Sequence, residues 1–174
     1  MFQSLVDPKR RRNLRRYVFQ VSIATLALFA ALLVEQIISG GAAARAVVVA
    51  AIASTAFVLF ISPFSPSATT QHAFGGHLVA IVVATPMAIL ADTSIGTEWV
   101  VKIPAIFAFY AALCVGISMF FMAVTNTEHP PAAGTALAII AHGFDWRLIV
   151  FIGSAVLILL LIQRALRSHL INLY

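Results

Sequence analysis

Hydrophobic and polar residues occur in long separate blocks along this chain. A bilayer core about 30 Å thick is crossed by about 20 apolar residues in a helix that rises about 1.5 Å per residue. Backbone groups in lipid must be hydrogen-bonded within their own segment, so a long apolar run predicts a transmembrane helix. Five runs qualify, and they extend over residues 17–38, 46–62, 73–91, 103–124 and 146–163.

A further apolar run, residues 131–144, is shorter than the others. As a helix it would extend only about 21 Å, less than the usual hydrocarbon thickness. If it crosses the membrane, the chain has six spans and both termini lie on one side. If it is re-entrant, five full spans remain and the termini lie on opposite sides. We favour six spans, because the basic residues at both ends of the chain then face the cytoplasm and the outer segments are neutral overall.

Charge is concentrated at the start of the chain, where six Lys and Arg residues and a single Asp occur within residues 1–16. The positive-inside rule places such a segment in the cytoplasm. We therefore predict a basic cytoplasmic tail (residues 1–16), a single transmembrane domain (17–166) and a short C-terminal tail (167–174). A nucleic-acid-binding tail is a weaker interpretation, because the basic residues directly precede an apolar run.

A hydrophobic fraction of 61% excludes a soluble globular protein. The predicted fold class is all-α: a polytopic transmembrane helix bundle with two broken or short helices. We expect it in the inner (plasma) membrane of a prokaryote, with the N-terminus in the cytoplasm. The single cysteine, Cys114, lies in an apolar run and is predicted to be a core residue without a disulfide.

Two polar interruptions carry the candidate chemistry, and the six-span topology places both on the cytoplasmic side. The first precedes the third apolar run and combines hydroxyl and amide side chains with a Gly-Gly-His sequence. Its candidate substrate-binding or pathway residues are Ser65, Ser67, Thr69, Thr70, Gln71, Gly75, Gly76 and His77. The second precedes the short run, and its candidates are Glu128, His129, Pro130, Pro131, Gly134 and Thr135.

The chemistry of these residues suits a small anion. Pro131 can occupy the first position of a helix, where its missing N–H is tolerated. A helix N-terminus carries unpaired N–H groups and partial positive charge, which favour an anion. His77 and His129 can donate, accept or carry a proton, and broken helices that face a substrate are common in transporters.

Other interpretations remain open. Gly75 and Gly76 can form a helix-packing surface in a structural or sensory module that moves no solute. A metal site for a membrane enzyme is conceivable, although the spacing of its candidate ligands matches no specific site; these are His72, His77, Glu128 and His129. Signatures of proteases, acyl transferases and phosphate-loop pumps are absent from the sequence, so we predict no enzyme activity, no cofactor and no metal.

The segment EHPPAAGTALAIIA resembles the signature of the HPP family of small integral membrane proteins, named for the triplet that stands here at 129–131. A Ser-Pro-x-Ala stretch at 65–68 followed by Gly-Gly-His at 75–77 is similar to the family's other signature. The resemblance implies a transporter, and family members in chloroplasts and cyanobacteria are associated with nitrite. Where many members have Gln-Pro-Arg, this chain has Thr69, Thr70 and Gln71, so the arginine that would pair with an anion is absent.

We therefore predict a channel or secondary transporter for a small inorganic anion, with nitrite as the first candidate. Its expected partners are the lipid bilayer, the anion and protons as a candidate coupling ion, with no nucleic acid. So small a bundle is also expected to form a homo-oligomer through its Ala, Gly and Ser faces.

Overall fold

The computed structural model describes residues 10–39 and 46–173, and within the first helix it describes the side chains of residues 14–33. Most of the predicted basic tail therefore lies outside the described side chains. The described chain forms six main helices and no strand: α1 (Arg10–Ser39), α2 (Ala46–Ile61), α3 (Thr70–Ala91), α4 (Pro104–Val124), α5 (Pro130–His142) and α6 (Trp146–Leu166). The all-α prediction is confirmed.

Short helical turns complete the described chain, and they lie at Pro66–Ala68, Ser94–Gly96, Thr97–Val101 and Arg167–His169. Four segments are long and apolar enough to cross a membrane: Leu14–Leu33, Thr70–Ala91, Pro104–Val124 and Trp146–His169. Helix α2 has 16 residues and α5 has 13. With α2 counted as a span, as the sequence analysis predicts, the short helix α5 decides between five and six spans.

Helix α5 crosses the bundle alongside α3. Next to its start, the Nδ1 atom of His129 donates at 2.8 Å to the carbonyl oxygen of Ser67, which lies in the short turn Pro66–Ala68 before α3. Beyond its end, the backbone N–H of Phe144 donates to the carboxylate of Asp92, which follows α3, at 2.9 Å. A re-entrant segment would return to the side where it began, so these contacts support six spans and not five.

The start of α1 and the C-terminal segment lie at the same end of the bundle. The amide nitrogen of the Gln20 side chain donates to the carbonyl oxygens of Phe60 and Ile171, both at 2.8 Å, and its oxygen accepts from the N–H of Ile171 at 3.1 Å. The Tyr17 hydroxyl donates to the carbonyl of Leu173 at 3.0 Å. We call this set of contacts the tail clamp.

The tail clamp and the two polar interruptions share one end of the bundle, because Leu173 donates its N–H to the carbonyl of Ile61 at the end of α2. We call this end the motif face. Paired termini require an even number of crossings, which again agrees with six spans.

Small residues on α3 let its neighbours approach closely. The alanines Ala73, Ala80, Ala84 and Ala88 are all 0% exposed, whereas the largest buried side chains include Phe60 of α2 and Phe151 of α6. Helices in lipid associate chiefly through such van der Waals packing. Cys114 is also fully buried, as predicted for a core residue.

Candidate functional site

Two glycines bring α3 against the segment that leads into α5. A Cβ atom added to Gly75 would lie 2.6 Å from Cγ2 of Thr127, and one added to Gly76 would lie 2.8 Å from Cβ of His129. Real Cβ atoms do not approach this closely, so the pair serves as a packing contact. The same contact positions the next residue, His77, opposite His129.

The two motif histidines meet inside the bundle. The ring centroids of His77 and His129 are 5.3 Å apart, and the ring planes are inclined by 56°. The two residues are only 2% and 1% exposed. Two motifs that are far apart in sequence thus converge on one buried point near the motif face.

A hydroxyl from a third helix joins the rings. The Oγ1 atom of Thr55 in α2 lies 2.9 Å from Nε2 of His77 and 3.2 Å from Nε2 of His129. It also lies 3.0 Å from the carbonyl oxygen of Ala51. On the far side of His77, the Nδ1 atom is 2.9 Å from Oγ1 of Thr135. We call Thr55, His77, His129, Thr135 and the Ser67 carbonyl the histidine cluster.

The carbonyl oxygens of Ser67 and Ala51 can only accept, and the Ser67 carbonyl sets the tautomer of His129. The Ser67 carbonyl has no hydrogen, so His129 carries its hydrogen on Nδ1, and Nε2 of the neutral ring is an acceptor. In the arrangement that pairs both Nε2 atoms, Thr55 donates its single hydrogen to this Nε2 instead of to the Ala51 carbonyl, and it accepts from Nε2 of His77. Nδ1 of His77 is left as an acceptor for the hydroxyl of Thr135. Every polar atom of the neutral cluster is paired in this arrangement.

The remaining residues of the first motif lie around the start of α3. Thr69 caps the helix, because its hydroxyl oxygen accepts from the N–H of His72 at 3.3 Å. Gln71 is exposed and donates to the Asn126 carbonyl at 3.0 Å, and Thr70 is exposed. The hydroxyl of Ser65 is buried without a hydrogen-bond partner among the described residues. These side chains lie at the motif face but are not members of the histidine cluster.

Glu128 lies outside the cluster although it adjoins His129 in sequence. Its side chain is 54% exposed, and a carboxylate oxygen lies 3.5 Å from Nε2 of His72. The pair occupies the surface of the motif face. The negative charge of Glu128 is therefore not buried with the two imidazoles.

The start of α5 differs from the prediction. The helix begins at Pro130, one residue earlier than expected, and neither Pro130 nor Pro131 has an N–H. The first available N–H, that of Ala132, already donates to the His129 carbonyl at 2.8 Å. The expected anion site of free backbone amides is therefore not formed by these three residues. The partial positive charge of the helix start remains.

Two open cavities flank the start of α5. One, of about 460 Å³, lies between α2 and α5 and is lined by Ser54, Pro131 and Gly134 among others. The other, of about 280 Å³, is lined by Met119, Met122, Glu128, His129, Pro130 and Ala133. The second cavity reaches the edge of the histidine cluster at His129.

The family model described as "HPP, transmembrane region" matches residues 9–170. This chain belongs to the HPP transmembrane family. The match extends from the first helix to the segment after α6, so it covers both motifs and Thr55. The sequence resemblance is thereby confirmed.

A transmembrane protein of Dictyostelium discoideum is similar to this HPP protein. It is 28% identical over 120 residues, which represent 66% of this chain and 39% of that protein. This HPP chain therefore spans well under half the length of the relative. No solved structure matches this chain.

The described part of this HPP protein contains no cluster of side chains that matches the metal-site hypothesis. No three side chains of His, Cys, Asp or Glu gather there in a way that could hold a metal ion. The four candidate ligands contact one another as pairs, His77 with His129 and His72 with Glu128.

Sequence analysis did not identify Thr55. The available signal was a hydroxyl within the otherwise apolar run of α2. Ser54, its neighbour, gives the same signal but is exposed, whereas Thr55 is 0% exposed. Only the packing of α2 against the two motifs distinguishes them.

Proposed function

We propose that this HPP protein is a channel or secondary transporter for a small inorganic anion, with nitrite as the first candidate substrate. The histidine cluster carries the proposal, because two motifs deliver two ionisable rings to one buried point. Ionisable groups within a membrane protein are unfavourable unless they are paired, and they commonly mark a substrate or proton pathway.

The surroundings of the cluster suit an anion. The imidazole N–H groups and hydroxyls are neutral donors, and the starts of α3 and α5 both lie at the motif face, where helix dipoles add positive potential. Gly134 and Ala133 line the two open cavities of about 460 and 280 Å³ beside the start of α5, which have room for a ligand of a few atoms. Glu128 stays at the surface, paired with His72.

The burial of the rings favours a transporter that changes conformation. His77 and His129 are 2% and 1% exposed, so an anion can reach them only if the start of α5 moves relative to α2 or α4. The cavities on both sides of that start provide space for such a movement. In the proposed orientation, the motif face is cytoplasmic and the protein is a homo-oligomer in a prokaryotic inner membrane.

Uptake into liposomes tests the proposal. The purified protein is reconstituted, and the uptake of nitrite, nitrate and formate is measured with and without a pH gradient. We expect nitrite uptake above that of empty liposomes, loss of this uptake in His129→Gln, and normal uptake in the matched control His169→Gln, which changes an exposed ring. The absence of flux above empty liposomes for all three anions would contradict the proposal.

A non-transporting structural or sensory module is the second candidate, favoured by the close packing of Gly75 and Gly76. The two candidates differ in what they require of His129. If the motif serves only packing, a His129→Gln protein that remains folded, as judged by gel filtration and thermal unfolding, keeps its cellular role. If the motif serves transport, that role is lost.

A further inference from the structure

We propose that the histidine cluster binds one exchangeable proton, and that Thr55 passes this proton between His129 and His77. The proton site stands on the geometry of the cluster alone. Its use as a coupling ion, with one proton accompanying the anion, rests on the proposed transport function.

The neutral cluster can accept one proton without leaving a polar hydrogen unpaired. A doubly protonated His129 would keep its Nδ1–H on the Ser67 carbonyl and donate its Nε2–H to Oγ1 of Thr55. The Thr55 hydrogen would then turn to the carbonyl oxygen of Ala51, which already lies at 3.0 Å. A second proton is disfavoured, because two imidazolium rings with centroids 5.3 Å apart repel each other.

Transfer between the rings runs through the hydroxyl. A proton added at Nδ1 of His77 makes that ring doubly protonated, with its Nδ1–H donating to Oγ1 of Thr135. The Nε2–H bond of His77 then breaks and its proton binds the Thr55 oxygen, while the former hydroxyl hydrogen of Thr55 binds Nε2 of His129. One positive charge moves from His77 to His129, neutral His77 keeps its hydrogen on Nδ1, and Thr55 ends with one hydrogen as before; the reverse sequence returns the charge to His77.

No fixed charge holds the proton on one ring. Among the described residues, no Asp, Glu, Lys or Arg side chain forms a hydrogen bond or ion pair with either imidazole. The titratable groups next to His129 are His72 and Glu128 at the motif face. His77 faces His129 and the hydroxyls of Thr55 and Thr135. The proton can therefore occupy either ring.

Nitrogen NMR tests the proton site without any transport assay. The chain has five histidines, so replacing His72, His142 and His169 with Gln leaves the two cluster rings, and one further His77→Gln sample assigns them. With ¹⁵N-labelled histidine in lipid bilayers, alkaline samples should show Nδ1–H on His129 and Nε2–H on His77. On acidification, the two rings together should take up one proton, and their signals should change in concert.

Variants of Thr55 sharpen the NMR test. Thr55→Ser keeps the hydroxyl and should keep the concerted change of the two ring signals, whereas Thr55→Val removes the relay, so the single proton should stay on one ring and only the signals of that ring should change on acidification. Two results with Thr55 unchanged would overturn the proton site: an Nε2–H on neutral His129, or independent uptake of two protons by the two rings.

Liposome assays test the coupling. With a pH gradient, nitrite uptake should fall roughly tenfold or more in Thr55→Val, as expected when a positioned proton-transfer group is lost. Thr55→Ser should retain most of the uptake. Thr25→Val is the matched control, because Thr25 is an exposed hydroxyl on α1 bonded only locally to Val21, and its uptake should be unchanged.

The two assays separate the two proposals. If the NMR pattern holds and no anion moves, the proposed function fails and the proton site stands. If nitrite moves equally fast with and without a pH gradient, and equally fast in Thr55→Val, coupling is refuted and transport stands.

Discussion

The tail clamp and the histidine cluster are two buried polar networks at the same end of one bundle. In the tail clamp, the Gln20 amide and the Tyr17 hydroxyl bond to backbone groups, whose donor and acceptor roles cannot change. In the histidine cluster, most members are imidazoles or hydroxyls, which can exchange those roles. Similar burial therefore gives a fixed connection in one network and a switchable one in the other.

The largest effect on transport should follow from removing one imidazole ring of the histidine cluster. His77→Gln is expected to abolish nitrite uptake, because an amide can pair with the hydroxyls but cannot carry the proton. His142→Gln, which changes a half-buried ring at the far end of α5, should retain uptake. The measurement is the initial rate of uptake into liposomes. Equal rates for the two variants would show that nitrite uptake does not depend on the histidine cluster.

A smaller effect on stability should follow from Gly76→Ala. The added Cβ would meet Cβ of His129 and the Thr127 carbonyl, both at 2.8 Å, so α3 and α5 must separate. Overpacking of this kind typically costs about 1–3 kcal/mol. Thermal unfolding in detergent should detect the loss, whereas Gly116→Ala, whose Cβ would have nothing within 4 Å, should leave unfolding unchanged. A neutral Gly76→Ala would show that the close approach is not needed.

A substitution in the tail clamp should lower the stability of the fold without changing transport. Gln20→Leu leaves the N–H of Ile171 and the carbonyls of Phe60 and Ile171 without their side-chain partner, which costs about 1–3 kcal/mol for a buried group. The midpoint of thermal unfolding should decrease, while nitrite uptake per folded protein and its dependence on a pH gradient should stay the same. A changed pH dependence would show that the clamp also takes part in proton handling.

The smallest effect is expected at the surface of the motif face. Glu128→Gln removes an exposed partner of His72, and exposed pairs contribute at most about 1 kcal/mol. Unfolding and uptake should therefore remain close to those of the unchanged protein. A large loss of uptake, measured in the same liposome assay, would instead place Glu128 on the route of the anion or proton.

The helices could be predicted from the sequence because lipid imposes one strong rule on apolar runs. Their starts were less predictable at α1, which begins at Arg10 and not near Tyr17. Hydropathy marks where lipid begins, whereas arginine is a good helix former and allows the helix to continue beyond that boundary.

Only the site residues that belong to the two sequence motifs could be predicted. His77 and His129 stood out as ionisable residues next to apolar runs, but Thr55 required knowledge of which face of α2 packs inward. The predicted anion site of backbone amides is not formed for a local reason: the two prolines that start α5 have no backbone N–H. Spacing along the chain cannot show a contact such as that between Thr55 and His129, which are 74 positions apart.

The position of Gln20 also sets the order of assembly during synthesis. Ribosomes add about 5–20 residues per second, and the partner Ile171 lies 151 positions later, so Gln20 waits roughly 8–30 s for it. Through that interval the first helix sits in the bilayer with an amide whose final acceptor has not been made. Closure of the bundle around α1 therefore comes late, after Ile171 has been synthesised, and until then the first helix remains in the bilayer with a side-chain amide that lacks this partner.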